Sequence, residues 1–140
     1  MKKNYSELFE KMHIAGKLAA KTLDELTSFV KPGVTTNFLD KICYEYIKDH
    51  GGNSAPLYYR GFPKSCCTST NHTVCHGIPC EKILQDGDII NVDVTTFVDG
   101  HHGDTSRTFC IGDVSVKSKN LISATYESMM KGISIIKPEI

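Results

Sequence analysis

Asp88-Ile89-Ile90-Asn91-Val92-Asp93-Val94-Thr95-Thr96-Phe97-Val98-Asp99-Gly100-His101-His102-Gly103-Asp104-Thr105-Ser106-Arg107-Thr108-Phe109-Cys110-Ile111 is the stretch on which the fold turns. Two strand-like runs, Asp88–Val98 and His101–Ile111, flank Asp99-Gly100. Asp-Gly between such runs is a strong hairpin signal, because a tight primed turn needs positive φ at its centre. With a two-residue loop, Val98 pairs with His101, Asp93 faces Ser106 and Asp104 faces Thr95. Alternate residues of a strand share a face, so Asp93, Thr95, Asp104 and Ser106 project to one side. The two aspartates are then diagonal neighbours, about 7–8 Å apart at Cα and closer at their tips. A one-residue bulge would break this parity.

Two carboxylates so placed suit a pair of metal ions about 3.5–4 Å apart. Without a cation they repel, and one of them titrates at higher pH. Asp93 also interrupts the apolar run Ile89–Val94, where an unpaired buried charge is expensive. The other reading makes both aspartates solvent-facing positions of an amphipathic hairpin. The residues alone leave both open.

Working outward, Leu8, Met12, Ala15, Ala19, Leu23 and Leu26 recur at helical spacing and predict a helix over 6–29, with Ser6 as N-cap and Pro32-Gly33 beyond its end. A second helix is expected over 36–49, with Leu39, Ile42, Cys43, Tyr46 and Ile47 on one side and Gly51-Gly52 closing it. From Asn53 to Cys80 the pattern is irregular. Aromatics and breakers mix between Ser54 and Pro63, which reads as loop with one short strand. A last helix is expected over 119–136, with Met129-Met130 in the core. The order gives one α+β domain over 1–140, with helices on one face of an antiparallel sheet.

Lys plus Arg and Asp plus Glu number 16 each, so nothing favours nucleic acid or an anionic membrane. No apolar run approaches the ~20 residues of a membrane span, and the basic start Met1-Lys2-Lys3 runs into charge rather than a signal core. A cytoplasmic protein is expected, with its six cysteines reduced. His72, Cys75, His76 and Cys80 lie close enough in sequence to suggest a structural zinc module, although zinc sites usually use ligand pairs separated by a loop. Cys75 reads more simply as a buried thiol, and His101 and His102 as exposed residues beside the turn.

Cys75-His76-Gly77-Ile78-Pro79, Asn91-Val92-Asp93-Val94-Thr95 and His102-Gly103-Asp104-Thr105-Ser106-Arg107-Thr108-Phe109 resemble the type I, bacterial-type methionine aminopeptidases. Gly61-Phe62-Pro63-Lys64-Ser65 and Val30-Lys31-Pro32-Gly33-Val34 also resemble that family. The resemblance covers nearly the whole chain, in order. It implies a pita-bread fold of two pseudo-symmetric α+β halves with the active site between them, this chain being the N-terminal half. It implies metal-dependent hydrolytic removal of the N-terminal methionine from nascent proteins. Two divalent ions of the Co, Mn, Fe or Zn class would be held in part by Asp93 and Asp104, with Thr95 supporting them. His76 would act in catalysis by contacting the substrate's peptide group, and Tyr59, Phe62 and Cys67 would line the pocket for the methionine side chain.

The family's other ligands, one histidine and two glutamates, follow the point at which these 140 residues stop. Where Lys-Pro-Gly is usual, this sequence has Lys137-Pro138-Glu139. A partial site is therefore expected, with little activity from the chain alone. The implied partners are N-terminal Met peptides of nascent chains, with transient ribosome proximity. Self-association or pairing with a second half would cover the open face. The alternative from another class is a non-catalytic remnant or peptide-binding module.

Overall fold

A computed structural model describes residues 5–138. The basic start Met1-Lys2-Lys3-Asn4 and the end Glu139-Ile140 lie outside the described residues. The elements are α1 (Tyr5–Leu26), α2 (Thr36–Asp49), β1 (Asn53–Ser54), a 3-10 turn (Tyr59–Gly61), β2 (Cys67–Thr70), β3 (Ile89–Val98), β4 (His101–Cys110) and α3 (Val116–Ser134). No described helix is long and apolar enough to cross a membrane.

β3 is the axis of the sheet. β4 pairs antiparallel along one edge of it in the register the turn dictates, from Val98↔His101 to Ile89↔Cys110, without a bulge. Asp99 and Gly100 supply the positive φ values, 45° and 79°. The other edge is shared. β2 pairs as Cys67↔Asp93 through Thr70↔Ile90, and β1 as Asn53↔Phe97 and Ser54↔Thr96. The single strand expected within 54–63 is thus two strands, one at its start and one beyond its end, with loop and 3-10 turn between.

Even-numbered residues of β3 form the floor of the core. Ile90, Val92, Val94 and Thr96 are all fully buried. α1 lies over β3 and β4, while α2 packs on β1 and β2. Along α1 the buried positions begin at Ala15, where small residues let the helix backbone settle onto the hairpin. Thr96 Oγ1 donates to the Ala15 carbonyl at 2.8 Å. A Cβ at Gly103 would lie 2.2–2.3 Å from the backbone of Ala15 and Gly16, which explains the glycine. Met12, expected on the buried seam, is 52% exposed because it precedes this contact. Ser6 is inside the helix rather than its N-cap.

α2 matches its expected span. Thr35 caps it, accepting from Phe38 N at 3.1 Å, and Gly51 closes it with φ 78°. α3 departs from expectation. It starts earlier, capped by Ser115, ends at Ser134, and buries none of its residues. Met129 and Met130 are exposed rather than core, because no described element covers them. Two of the three helices, not all three, thus pack on the sheet's apolar face.

Candidate active site

The odd-numbered residues of β3 face away from the helices. Asp93 is central, with Cys67 of β2 as its Cα partner on one side and Ser106 of β4 on the other. Thr95 stands opposite Asp104. Cys67, Asp93, Thr95 and Asp104 therefore share a face, and all four line one cavity of about 870 Å³. Beside them, the Phe97 ring packs at a tilt of 46° against its cross-strand partner His102, with 4.8 Å between ring centroids.

Asp93 feels this crowding. Burial first, and then the Asp104 charge, raise its carboxyl above the usual carboxylate range, while His76 pulls the other way. Cys67 is 8% exposed, and its thiol is pushed up to about 11 by burial and then by Asp93. At neutral pH it is a protonated, apolar wall group rather than a nucleophile.

Two irregular loops complete the cavity. The first supplies Ala55, Pro56, Tyr59, Arg60, Gly61, Phe62 and Pro63. It leaves β1 through the bond from Ala55 N to the Thr95 carbonyl at 2.9 Å. It closes on itself where Tyr58 N donates to the Phe62 carbonyl at 2.7 Å. Tyr58 and Arg60 hold left-handed φ values of 67° and 47°. The Arg60 guanidinium lies 5.6 Å from the centre of the Tyr59 ring.

The second loop carries His76 and Ile78. His76 is also left-handed, at φ 54°. Beside it, Gly77 is locked to β2: its carbonyl accepts from Thr68 N at 2.8 Å and its N–H donates to Ser69 Oγ at 3.2 Å. A Cβ there would come within 2.1 Å of the Thr68 carbonyl oxygen, so only glycine permits the approach. Three non-glycine residues in left-handed conformation around one cavity are the backbone strain that gathers at functional sites.

The residues that the peptidase resemblance singled out, Tyr59, Phe62, Cys67, His76, Asp93, Thr95 and Asp104, thus line one cavity. Pro56, Arg60 and Ile78 line it too, though sequence reasoning gave them no role. The clustering of breakers with aromatics in 54–63 was the available signal. His102 is exposed as expected, yet it also borders the cavity.

The zinc reading fails. Among the described residues, no three His, Cys, Asp or Glu side chains are grouped to hold a metal ion. Cys80 faces α2, with its backbone N donating to Thr36 Oγ1 at 2.9 Å, whereas His76 turns to the cavity. Cys75 is exposed rather than buried, since its loop runs outside β2, and all six cysteines are free thiols. Asp93 and Asp104 are a hard-oxygen donor pair that fits a divalent cation, but as one side of its shell.

Comparison with known proteins agrees with this geometry. The profile of metallopeptidase family M24 matches residues 10–140. A methionine aminopeptidase of Rickettsia prowazekii (strain Madrid E) is 58% identical over 130 residues, 93% of this chain and 50% of that protein. The crystal structure of methionine aminopeptidase from Rickettsia prowazekii superposes with a TM-score of 0.94 at 56% identity, over 95% of this chain and 54% of that one. An Xaa-Pro dipeptidase from Bacillus anthracis, 21% identical, shares the fold with a TM-score of 0.81 over 92% of this chain and 35% of its own. The chain spans about half the length of the curated relatives it matches.

Proposed function

The chain belongs to metallopeptidase family M24, with the α+β architecture of a pita-bread half, and from that premise we propose that it is the N-terminal half of a methionine aminopeptidase site. The reaction is hydrolytic release of the N-terminal methionine of nascent proteins, in the cytoplasm. One observation carries this reading: an acidic pair, an apolar wall and a strained histidine line a single cavity. The name shared by the similar proteins supports the choice of reaction.

Asp93 and Asp104 would hold divalent metal of the Co, Mn, Fe or Zn class, and Thr95 would steady Asp104 across the strand pair. Bound metal supplies a water acidified toward neutral pH and a polarised scissile carbonyl. The chain's own groups do the rest. Tyr59, Phe62 and Cys67 take the methionine side chain, whose polarisable thioether packs well against ring edges and sulfur. His76, fixed above the acidic pair by Gly77, hydrogen-bonds the peptide group beside the scissile bond. A free amino terminus seated beside the metal would make the enzyme an exopeptidase.

Two carboxylates leave most of a metal's shell to water, so weak binding and slow turnover are expected from this chain alone. Calorimetric titration with Mn²⁺, run beside a methionine-release assay on a Met-Ala-Ser peptide, tests this. Binding should be lost in Asp93→Asn and in Asp104→Asn. Mn²⁺ binding that survives both substitutions would sink the metal reading. A peptide that binds without turnover, even with a homologous C-terminal half added, would make the cavity a methionyl-peptide receptor instead.

A further inference from the structure

Asp40 has no part in the site described above, yet it is 9% exposed on the inner side of α2. A carboxyl group withdrawn from water needs compensating donors. Here they converge on one oxygen. Asp40 Oδ1 accepts from Ser65 N at 2.8 Å, from Ser65 Oγ at 2.6 Å and from Cys66 N at 3.1 Å. Cys66 Sγ is a fourth neighbour at 3.6 Å. Ser65 and Cys66 are themselves buried, so water cannot replace these contacts.

The position of this clamp matters more than its strength. The cavity's apolar wall runs from Ala55 to Cys67. Its first end is fastened to β3 through the Ala55 bond to Thr95. Between Pro56 and Phe62 the backbone bonds are internal to the loop, and Tyr58 and Tyr59 are 79% and 65% exposed. The second end is fastened by Asp40 at Ser65 and Cys66, and from Cys67 onward by the pairing of β2 with β3. Phe62 lies three residues before Ser65 and Cys67 two residues after it, so the clamp separates two side chains that line the cavity.

We propose that Asp40 is a positioning residue for substrate selection: by holding Ser65 and Cys66 it sets the places of Phe62 and Cys67, and so the room left for the substrate's terminal side chain. This rests on the functional reading above for what the cavity holds. The clamp itself can be judged separately, because the chain carries its own reporters. Cys67 is 8% exposed at the wall, while Cys43 and Cys66 are fully buried in the core. Loss of the clamp frees the wall and exposes Cys67. General loosening exposes Cys43 as well.

The experiment is alkylation of the folded chain by N-ethylmaleimide, with each thiol followed by peptide mass mapping in the parent, Asp40→Ala and Asp40→Asn. In Asp40→Ala, Cys67 should react about tenfold faster while Cys43 stays protected, as when one or two net hydrogen bonds of local stability are lost. Asp40→Asn keeps one acceptor oxygen and should fall between. If Asp40→Ala does not fold, the Asn variant decides by the same comparison. An unchanged Cys67 rate overturns the proposal. So does simultaneous exposure of Cys43 and Cys67 in the Asn variant, which would make Asp40 a general stabiliser. A parent chain that binds no Mn²⁺ would sink the functional reading and leave the thiol result standing.

Discussion

The two faces of strand β3 differ by one residue in sequence and by everything in chemistry. Toward the helices, Ile90, Val92, Val94 and Thr96 are fully buried. Toward the cavity, Asn91, Asp93 and Thr95 are half-buried and polar. A strand's period of two lets a single segment serve both tasks. The buried face has several elements packed on it, so burial there holds the fold together. The open face carries like charges and loops in left-handed conformation, which fold stability does not require. A hairpin so heavily anchored on one side can tolerate repulsion on the other.

The largest expected effect tests this division with neighbouring residues. Ile90→Ala empties a site in the core, and such truncations cost about 2–5 kcal/mol. Asn91→Ala removes two bonds on the open face, from Asn91 Nδ2 to Thr108 Oγ1 at 3.1 Å and to Ser106 Oγ at 3.4 Å, the shorter worth about 0.5–1.5 kcal/mol. Urea unfolding of both variants measures the difference. Equal losses would mean that the cavity face also holds the fold together.

The same division explains what was legible in the sequence. The hairpin, its register and the shared face of Asp93 and Asp104 follow from Asp99-Gly100 and period two, both local rules. β2 was missed because Cys67-Thr68-Ser69-Thr70 is buried throughout and so shows no alternation. The cavity's loop residues, Tyr59, Phe62 and His76, came only through family resemblance. Their placement depends on left-handed turns at Tyr58, Arg60 and His76, and no periodicity signals these. Asp40 gives no signal in the sequence, because an aspartate on a helix ordinarily faces water. Met129 and Met130 misled for the converse reason: an apolar stripe shows that a helix wants a partner, not that it has one.

A smaller effect, of opposite sign, is expected on the open face. Asp93 titrates above its unfolded value of 3.8, chiefly through burial and then through Asp104. Between those two points the folded chain holds more protons than the unfolded one, so stability falls as pH rises. Ionised Asp93 therefore opposes folding at neutral pH and stops doing so in acid. In metal-free buffer, Asp93→Asn should be more stable than the parent at pH 7 by less than about 1 kcal/mol, the scale of partly solvated charge pairs. The gain should vanish as pH falls toward 3.8. Denaturant midpoints across this range measure it, and a variant less stable than the parent at neutral pH would show that Asp93 has a stabilising partner.

The smallest effect is expected where neither face of the sheet is involved. Ile122, Tyr126, Met129 and Ile133 follow the 4-3 spacing of a helix seam along α3. Ile133 is nevertheless 52% exposed and Tyr126 60%, so α3 offers an apolar stripe with nothing described against it. Uncovered side chains contribute little to folding, and surface substitutions away from special features usually change stability by within about 0.5 kcal/mol. Ile133→Lys should therefore leave the thermal midpoint of a dilute sample in place. At high concentration the parent should self-associate through the stripe, and the lysine should reduce that association, as sedimentation velocity would show. A midpoint lowered by the substitution in dilute solution would mean that α3 is covered within one chain. The contrast between the two faces of β3 would then extend to a third surface, where an apolar stripe already has its partner.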